Sequence, residues 1–123
     1  MMGQNTMVIS GIEGLGEVHV TEEVIAIIAG LAATEVEGVD SLGNNITHDI
    51  ITRLSRKRLA TGVKIARGDD SVEVFLRAVI EMGCIIPDVC KQIQEKVKSA
   101  IESITGVTVS SVNIEIATLK VDK

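Results

Sequence analysis

The chain has 123 residues and a net charge of −5, and 46% of its residues are hydrophobic. A chain of this length usually forms one domain that buries about two-thirds of its unfolded surface, so it needs neither disulfides nor a structural metal to hold a core. It contains one Phe and no Tyr or Trp. That composition excludes sites that depend on several aromatic rings, such as base-stacking platforms and aromatic cages.

The start of the chain predicts a protein that stays in the cytoplasm. Residues 1–15 contain no Lys or Arg and no apolar run of the length found in secretory signals. The longest uncharged apolar stretch, residues 24–33, is far shorter than the roughly 18 residues that suggest a membrane-spanning helix, so we interpret it as a buried helix. The two Cys residues are expected to be free thiols in a reducing compartment.

Charge is distributed unevenly along the sequence. Residues 1–52 hold eight acidic and no basic residues, residues 53–67 hold six basic and no acidic residues, and residues 68–123 hold nine acidic and six basic residues. The acidic surface of one copy can therefore attract the basic segment of another, or the two segments can pair within one fold.

The first fifteen residues, with three glycines, are predicted to form a flexible tail. A short strand follows over 17–20, where polar and apolar residues alternate. Thr21 can cap a helix that runs to about Glu37, and Gly38 is expected to end it in the left-handed conformation. One face of this helix is predicted to lie in the core, comprising Val24, Ile25, Ile28, Leu31, Ala32 and Val36.

Two antiparallel strands are the clearest pattern in the middle of the chain. Apolar residues alternate at 63–66 and again over 72–80, and Gly68 with the two Asp residues after it supplies the turn. The helical spacing of apolar residues also indicates a short helix near 47–57.

A second long helix is predicted to begin near Pro87 and to end at Gly106, because Pro suits a first turn and Gly suits the position after the last. A strand around 112–116 follows, so this part of the chain forms a right-handed crossover between two parallel strands. The predicted core positions of the helix are Val89, Ile93, Val97, Ala100, Ile101 and Ile104.

These elements predict an α+β fold, a two-layer sandwich in the order β-α-(α)-β-β-α-β, with a small mixed sheet and helices packed on one face. We assign residues 16–119 to this single domain. Residues 1–15 then form the N-terminal tail and residues 120–123 a C-terminal tail.

Several ordered blocks of the sequence carry a family resemblance. They are VIAIIAGLAA at 24–33 with EVEGV at 35–39, TGVKI at 61–65, GCIIPDV at 83–89, QEKVKSAIE at 94–102 and TGVTVSSVNI at 105–114. Together they resemble the alkaline shock protein family, the envelope stress response proteins of Gram-positive bacteria, over about residues 16 to 119.

The resemblance implies a cytoplasmic protein that self-associates as a homo-oligomer, lies at the inner face of the cell membrane through a membrane-anchored partner and supports envelope homeostasis. It implies no catalytic residues and no cofactor, and therefore a non-enzymatic structural or scaffolding role. Some relatives are linked to fatty-acid synthesis through acetyl-CoA carboxylase, so regulation of that enzyme is an alternative function.

A small thiol- or metal-binding module is the other alternative. Cys84 precedes the second helix and Cys90 lies in it, which superficially resembles the loop of heavy-metal-associated domains, where two thiolates hold a soft metal. Here the spacing is C-x5-C and Cys90 falls on the core stripe, so core packing is favoured. Relatives commonly carry small aliphatic residues at both positions, which argues against a thiol chemistry common to the family.

A basic cluster, defined as Arg53, Arg56, Lys57 and Arg58, is a second candidate site. Basic side chains in a row can follow phosphates. The chain is acidic overall and places no aromatic residues between the basic ones, so nucleic acid is not the expected partner. An acidic protein surface or an anionic lipid surface fits the cluster better.

The face of the long strand that points away from the helices is the third candidate. Phe75 and Val79 share the parity of Glu73 and Arg77, which is opposite to that of the core residues. Either the helix at 47–57 or the tail covers them, or they form a self-association surface, which is the interpretation we favour.

Other polar features are interpreted as structural. His19 and His48 lie far apart and lack the spacing of a metal-binding pair. Glu35 falls within the apolar arc of the first helix, where a buried carboxylate would mark a site, but a residue in the last turn can extend its carboxylate to solvent.

Overall fold

The computed structural model describes residues 14–42 and 62–121, and the backbone of residues 6–9. In these segments the elements follow the order β1 (Thr6–Ile9), β2 (Val18–Thr21), α1 (Glu22–Thr34), β3 (Val39–Leu42), β4 (Val63–Arg67), β5 (Ser71–Glu81), α2 (Ile86–Thr105) and β6 (Thr108–Lys120). The helix predicted near 47–57, the basic cluster and His48 lie outside the described residues.

The central strand of the sheet is β5. On one side β6 pairs with it in parallel along its whole length. On the other side β4 pairs antiparallel with residues 72–76 of β5, and β3 pairs antiparallel with residues 78–80. The predicted hairpin and the parallel pair of the crossover are therefore confirmed, as is the small mixed sheet.

The hairpin turn has the expected hydrogen bond, since the N–H of Gly68 donates to the carbonyl of Ser71 at 2.7 Å. Two strands were not predicted. β3 lies in a segment where the order of polar and apolar residues shows no clear period. β1 lies inside the predicted N-terminal tail and pairs antiparallel with β2 in a separate two-stranded sheet.

Both long helices contribute to one core on a single face of the sheet, which confirms the two-layer arrangement. On α2 four of the six predicted stripe positions are buried, Ala100 is partly buried against the core, and the prediction is wrong at Ile104, which is 69% exposed. Thr105 is buried instead. The Thr105 hydroxyl donates to the carbonyl of Ile101 at 2.7 Å and accepts from the N–H of Val107 at 3.0 Å, so its burial leaves no unpaired polar atom. The alternate residues of β5 that face this core are all buried: Val72, Val74, Leu76, Ala78 and Ile80.

The buried face of α1 agrees in part with the predicted one. Ile25, Ala32 and Val36 are buried as predicted, and Ile28 and Leu31 are half-buried against the core. The prediction is wrong at Val24, which is 44% exposed. The helix is apolar on nearly every side, so periodicity could not decide which side packs. Small side chains let α1 approach α2 and the sheet closely, and its buried face consists of Ile25, Ala26, Ala29, Gly30, Ala32 and Ala33.

Helix α1 also ends earlier than predicted, at Thr34 rather than near Glu37. The Thr34 hydroxyl donates to the carbonyls of Gly30 and Leu31 at 2.9 and 3.1 Å, and the last turn tightens as Val36 N–H donates to the carbonyl of Ala33. Gly38 does adopt the left-handed conformation, with φ of 100°, but it serves the turn into β3 rather than the helix cap. At the other end Thr21 caps α1 as predicted, accepting from the N–H of Val24 at 3.2 Å.

No helix within 14–42 or 62–121 is both long and apolar enough to cross a membrane.

Candidate interaction surface

Phe75 lies on the outer face of the sheet, the face opposite the helices, as the alternation along β5 predicts. It is 42% exposed. Its cross-strand neighbours are Lys64 on β4 and Asn113 on β6. Phe75, Lys64, Arg77, Asn113 and Glu115 line a groove of about 340 Å³ in this face. The structure thus presents one accessible aromatic ring in a groove that polar and charged side chains line together with Leu76 and Ile114.

The polar side chains around Phe75 are held by contacts with one another. Arg77 Nε lies 3.4 Å from Glu115 Oε1, and the Ser111 hydroxyl donates to Glu73 Oε2 at 3.1 Å. Asn113 Nδ2 donates to the Ser111 hydroxyl at 3.2 Å and to the carbonyl of Val74 at 3.3 Å. An apolar centre with an ordered polar rim is the usual anatomy of a protein interface.

Val79 does not belong to this accessible surface, so its prediction as an exposed interaction residue is wrong. It is 6% exposed, although it is absent from the core cluster beneath the helices. Its cross-strand neighbour on β3 is Ser41, which is 1% exposed. The outer face is therefore exposed around Phe75 and buried at the β3 end, a division that parity along one strand could not foresee.

The Ser41 hydroxyl has no hydrogen-bond partner among the described residues. A buried hydroxyl without a partner costs about 1–3 kcal/mol. It lies beside Val79 and contributes no accessible group to the outer face.

The surroundings of Cys84 and Cys90 give no support to the metal-site hypothesis. Cys84 packs against the core cluster, and both thiols are half-buried. Burial raises the pKa of the Cys90 thiol, which disfavours the thiolate that a soft metal needs. The described residues contain no group of three or more His, Cys, Asp or Glu side chains placed to hold a metal ion.

The other polar candidates lie at the surface. Glu35 is 48% exposed and its Oε1 lies 3.3 Å from Lys96 Nζ of α2, so its carboxylate reaches solvent rather than the core. His19 Nε2 lies 3.3 Å from Glu17 Oε1.

Comparison with known proteins places the chain in a family. Residues 11–121 match the model of the alkaline shock protein 23 family. The description of that family is a cell envelope-related function. The chain belongs to this family. The resemblance carried by the sequence blocks is thereby confirmed, and the function of the family is related to the cell envelope.

Relatives of the chain occur in Bacillus subtilis and Streptococcus pyogenes. The chain is 32% identical over 108 residues to the uncharacterized protein YqhY of Bacillus subtilis, covering 88% of this chain and 80% of the relative. It is 34% identical over 112 residues to the uncharacterized protein Spy1535 of Streptococcus pyogenes, covering 90% and 84%. The uncharacterized protein YloU of Bacillus subtilis is 29% identical over 108 residues, covering 86% and 90%. No solved structure matches the chain significantly.

Proposed function

We propose that this chain is a non-enzymatic scaffolding protein of the cell-envelope stress response, which acts by self-association and by binding a membrane-anchored partner at the inner face of the membrane. Membership of a cell envelope-related family supports the cellular role. The exposed Phe75 in its groove on the outer face supports action through protein contacts and is the observation that carries the proposal.

The charges around Phe75 favour a second copy of the chain as the molecule that covers it. Lys64 and Arg77 place positive charge on this face, and Glu73 and Glu115 place negative charge there. A two-fold interface between identical copies is self-complementary, so charged groups on it can pair when both signs of charge lie on one surface. A face of mixed sign around one aromatic residue meets that requirement.

The membrane-anchored partner is the second part of the proposal. The basic cluster at 53–58 gives the chain a local positive charge in an otherwise acidic sequence. Such a cluster attracts an acidic protein segment or an anionic lipid surface near the inner leaflet. Acetyl-CoA carboxylase is an alternative partner, in which case the same scaffold serves lipid synthesis.

Replacement of Phe75 by Asp tests the surface. We expect Phe75→Asp to lower the mass measured by sedimentation velocity and to leave the circular dichroism spectrum unchanged, because the side chain is accessible in the folded chain. Ile104→Asp makes a matched change at an exposed position of α2, on the helical layer, and is expected to keep the wild-type mass. An unchanged mass for Phe75→Asp would rule out this face as the self-association surface.

The partner is tested by crosslinking in native cells followed by recovery of the tagged chain. We expect a membrane-anchored protein to be recovered with the wild-type chain, and recovery of acetyl-CoA carboxylase subunits in its place would favour the alternative. Recovery of neither would contradict the scaffolding role at the membrane.

A further inference from the structure

The outer edge of β6 is covered by side chains of α2 in its first half only, as far as the described residues show. Among the described residues β6 pairs with β5 alone, so its other side is a sheet edge. Near its start, side chains of α2 cover this edge: Gln94 Nε2 donates to the carbonyl of Val112 at 3.0 Å, and Glu102 Oε2 accepts from the N–H of Val109 at 2.9 Å. The described residues provide no such cover beyond Val112.

In the second half of β6, certain residues direct their backbone N–H and C=O groups away from β5, toward the open edge. Because the Val112 carbonyl points away from β5, alternation places the outward groups of the next residues at Ile114 and Ile116. The pairing with β5 then skips one residue at Ala117. The carbonyl of Lys120 accepts from the N–H of Met82, on the β5 side, at 2.9 Å. The residue before Lys120, Leu119, therefore directs its backbone N–H and C=O away from β5.

Apolar side chains accompany this edge. Ile114 and Ile116 are half-buried, Leu119 is 40% exposed and Val121 is 62% exposed. An exposed strand edge with apolar side chains is a template for pairing with another strand, and native proteins usually cover or charge such edges. Here the charged residues are Glu115 and Lys120, whose side chains are 70% and 60% exposed.

A two-fold axis between Ala117 and Thr118 gives this edge a self-complementary register. It places Ile116 opposite Leu119 of a second copy, two positions that both point backbone groups outward. It also places Glu115 opposite Lys120 of the second copy, and symmetry produces this charge pair twice. The register keeps polar side chains on the outer face and apolar ones on the helical side.

We propose that the 114–121 edge of β6 pairs antiparallel with the same edge of a second copy, in the register that sets Glu115 against Lys120. The two sheets then join into one, with both Phe75 side chains on the same face. This contact names a specific surface for the self-association invoked in the proposed function and rests on that proposal. It differs from a contact through the Phe75 groove because it uses backbone groups at the edge of the sheet, although Glu115 borders both.

The charges give the pairing its specificity. Glu115 already lies 3.4 Å from Arg77, and Lys120 Nζ lies 3.8 Å from Asp40 Oδ1. Both are surface contacts of the kind that contribute little to stability, so each side chain remains available to a second copy. A shifted register loses the opposition of Glu115 and Lys120 and the alignment of the outward backbone groups, which disfavours open-ended aggregation.

Charge exchange tests the register directly. Glu115→Lys and Lys120→Glu each place like charges opposite one another twice per dimer, and we expect each to weaken self-association roughly tenfold in sedimentation equilibrium. The double variant E115K/K120E restores opposite charges and should return the dissociation constant to within about threefold of the wild-type value. Single variants that associate like the wild type, or a double variant that is as weak as either single variant, would overturn the proposed pairing.

Disulfide trapping gives a second measurement that does not depend on charge. In a background with Cys84→Ala and Cys90→Ala, E115C/K120C should form intermolecular disulfide dimers under mild oxidation, because directly opposite residues of an antiparallel pair lie about 4.5–5.5 Å apart. N113C/K120C, which places one Cys two residues out of register, is the control and should form far fewer. Equal yields from the two variants would contradict the register.

The outcomes separate the two proposals. A wild-type chain that stays monomeric at millimolar concentration contradicts self-association as a whole. A wild-type chain that associates, while the edge variants leave its mass unchanged and Phe75→Asp lowers it, contradicts the edge pairing and leaves the proposed function intact.

Discussion

A Cβ atom placed on Gly38 would lie 3.0 Å from the Sγ of Cys84 and 3.1 Å from the Cγ2 of Val89. The carbonyl of Gly38 also accepts from the N–H of Glu81 at 2.9 Å. The turn that follows α1 is thus pressed against the loop between β5 and α2, and the thiol of Cys84 fills the space beside its backbone. This contact gives Cys84 a packing role.

Replacement of Gly38 by Ala is expected to lower the free energy of unfolding by about 2–4 kcal/mol. Gly38 has φ of +100° and its new Cβ would overlap two side chains, so both backbone strain and steric contact oppose the change. Chemical denaturation of the purified chain measures the difference.

Gly106→Ala is the matched control. Gly106 also has positive φ, +79°, but a Cβ there meets nothing within 4 Å, so only the backbone term applies and the cost should be about 1 kcal/mol. In the Gly38→Ala background, Cys84→Ala should recover part of the lost stability, because it removes one of the two close contacts. Equal costs at Gly38 and Gly106 would show that the packing against Cys84 is unimportant.

A carboxylate should destabilise the fold much more at Val79 than at Phe75. Val79→Asp places a charge at a position that is 6% exposed, and we expect it to lower the free energy of unfolding by at least about 3 kcal/mol. Phe75→Asp, at 42% exposure, should cost less than about 1.5 kcal/mol. Urea denaturation of both variants measures this, and a Val79→Asp variant as stable as Phe75→Asp would mean that Val79 is accessible after all.

The raised pKa of Cys90 predicts how the thiol affects stability in alkali. Burial favours its neutral form, so the folded chain holds the proton more tightly than the unfolded chain. The stability that Cys90 contributes is complete below its ordinary pKa of 9.0 and is lost as the pH rises through the higher value of the folded state. We expect the wild type to lose more stability than Cys90→Ala between about pH 8 and pH 11, and parallel losses in the two proteins would contradict this.

The carboxylate of Glu102 closes part of the β6 edge, and its loss should be measurable. Glu102→Ala removes the acceptor of the Val109 N–H, and we expect a loss of about 1–2 kcal/mol in thermal or urea unfolding. Glu95→Ala, at an exposed position of the same helix, should change stability by less than about 0.5 kcal/mol. A Glu102→Ala variant as stable as the control would show that solvent replaces this hydrogen bond without cost.

Patterns of short range explain why much of the fold could be predicted. The hairpin of β4 and β5 follows from strict alternation of apolar residues around a glycine turn, and the limits of α2 follow from Pro87 and Gly106. Each signal depends on the backbone preferences of a few neighbouring residues. The same is true of the outward direction of Phe75, because parity along a strand is a local property.

Features that depend on contacts between distant segments could not be predicted in this way. Val79 is 6% exposed and Phe75 is 42% exposed although both face away from the helices, and parity along one strand carries no information on that difference. The burial of Ala26, Ala29 and Ala33 on α1 likewise depends on contacts with distant elements. The covering of the β6 edge by Gln94 and Glu102 joins residues that are 18 and 7 positions from their backbone partners.

By itself the sequence determined the α+β class, the central hairpin, the crossover and the family, because each of these follows from local periodicity or from ordered blocks of residues. Only the tertiary structure decided which apolar residues remain accessible. Exposure is set by the packing of one element against another, so Phe75 is accessible while Val79 is not, and the described residues leave the edge of β6 beyond Val112 uncovered.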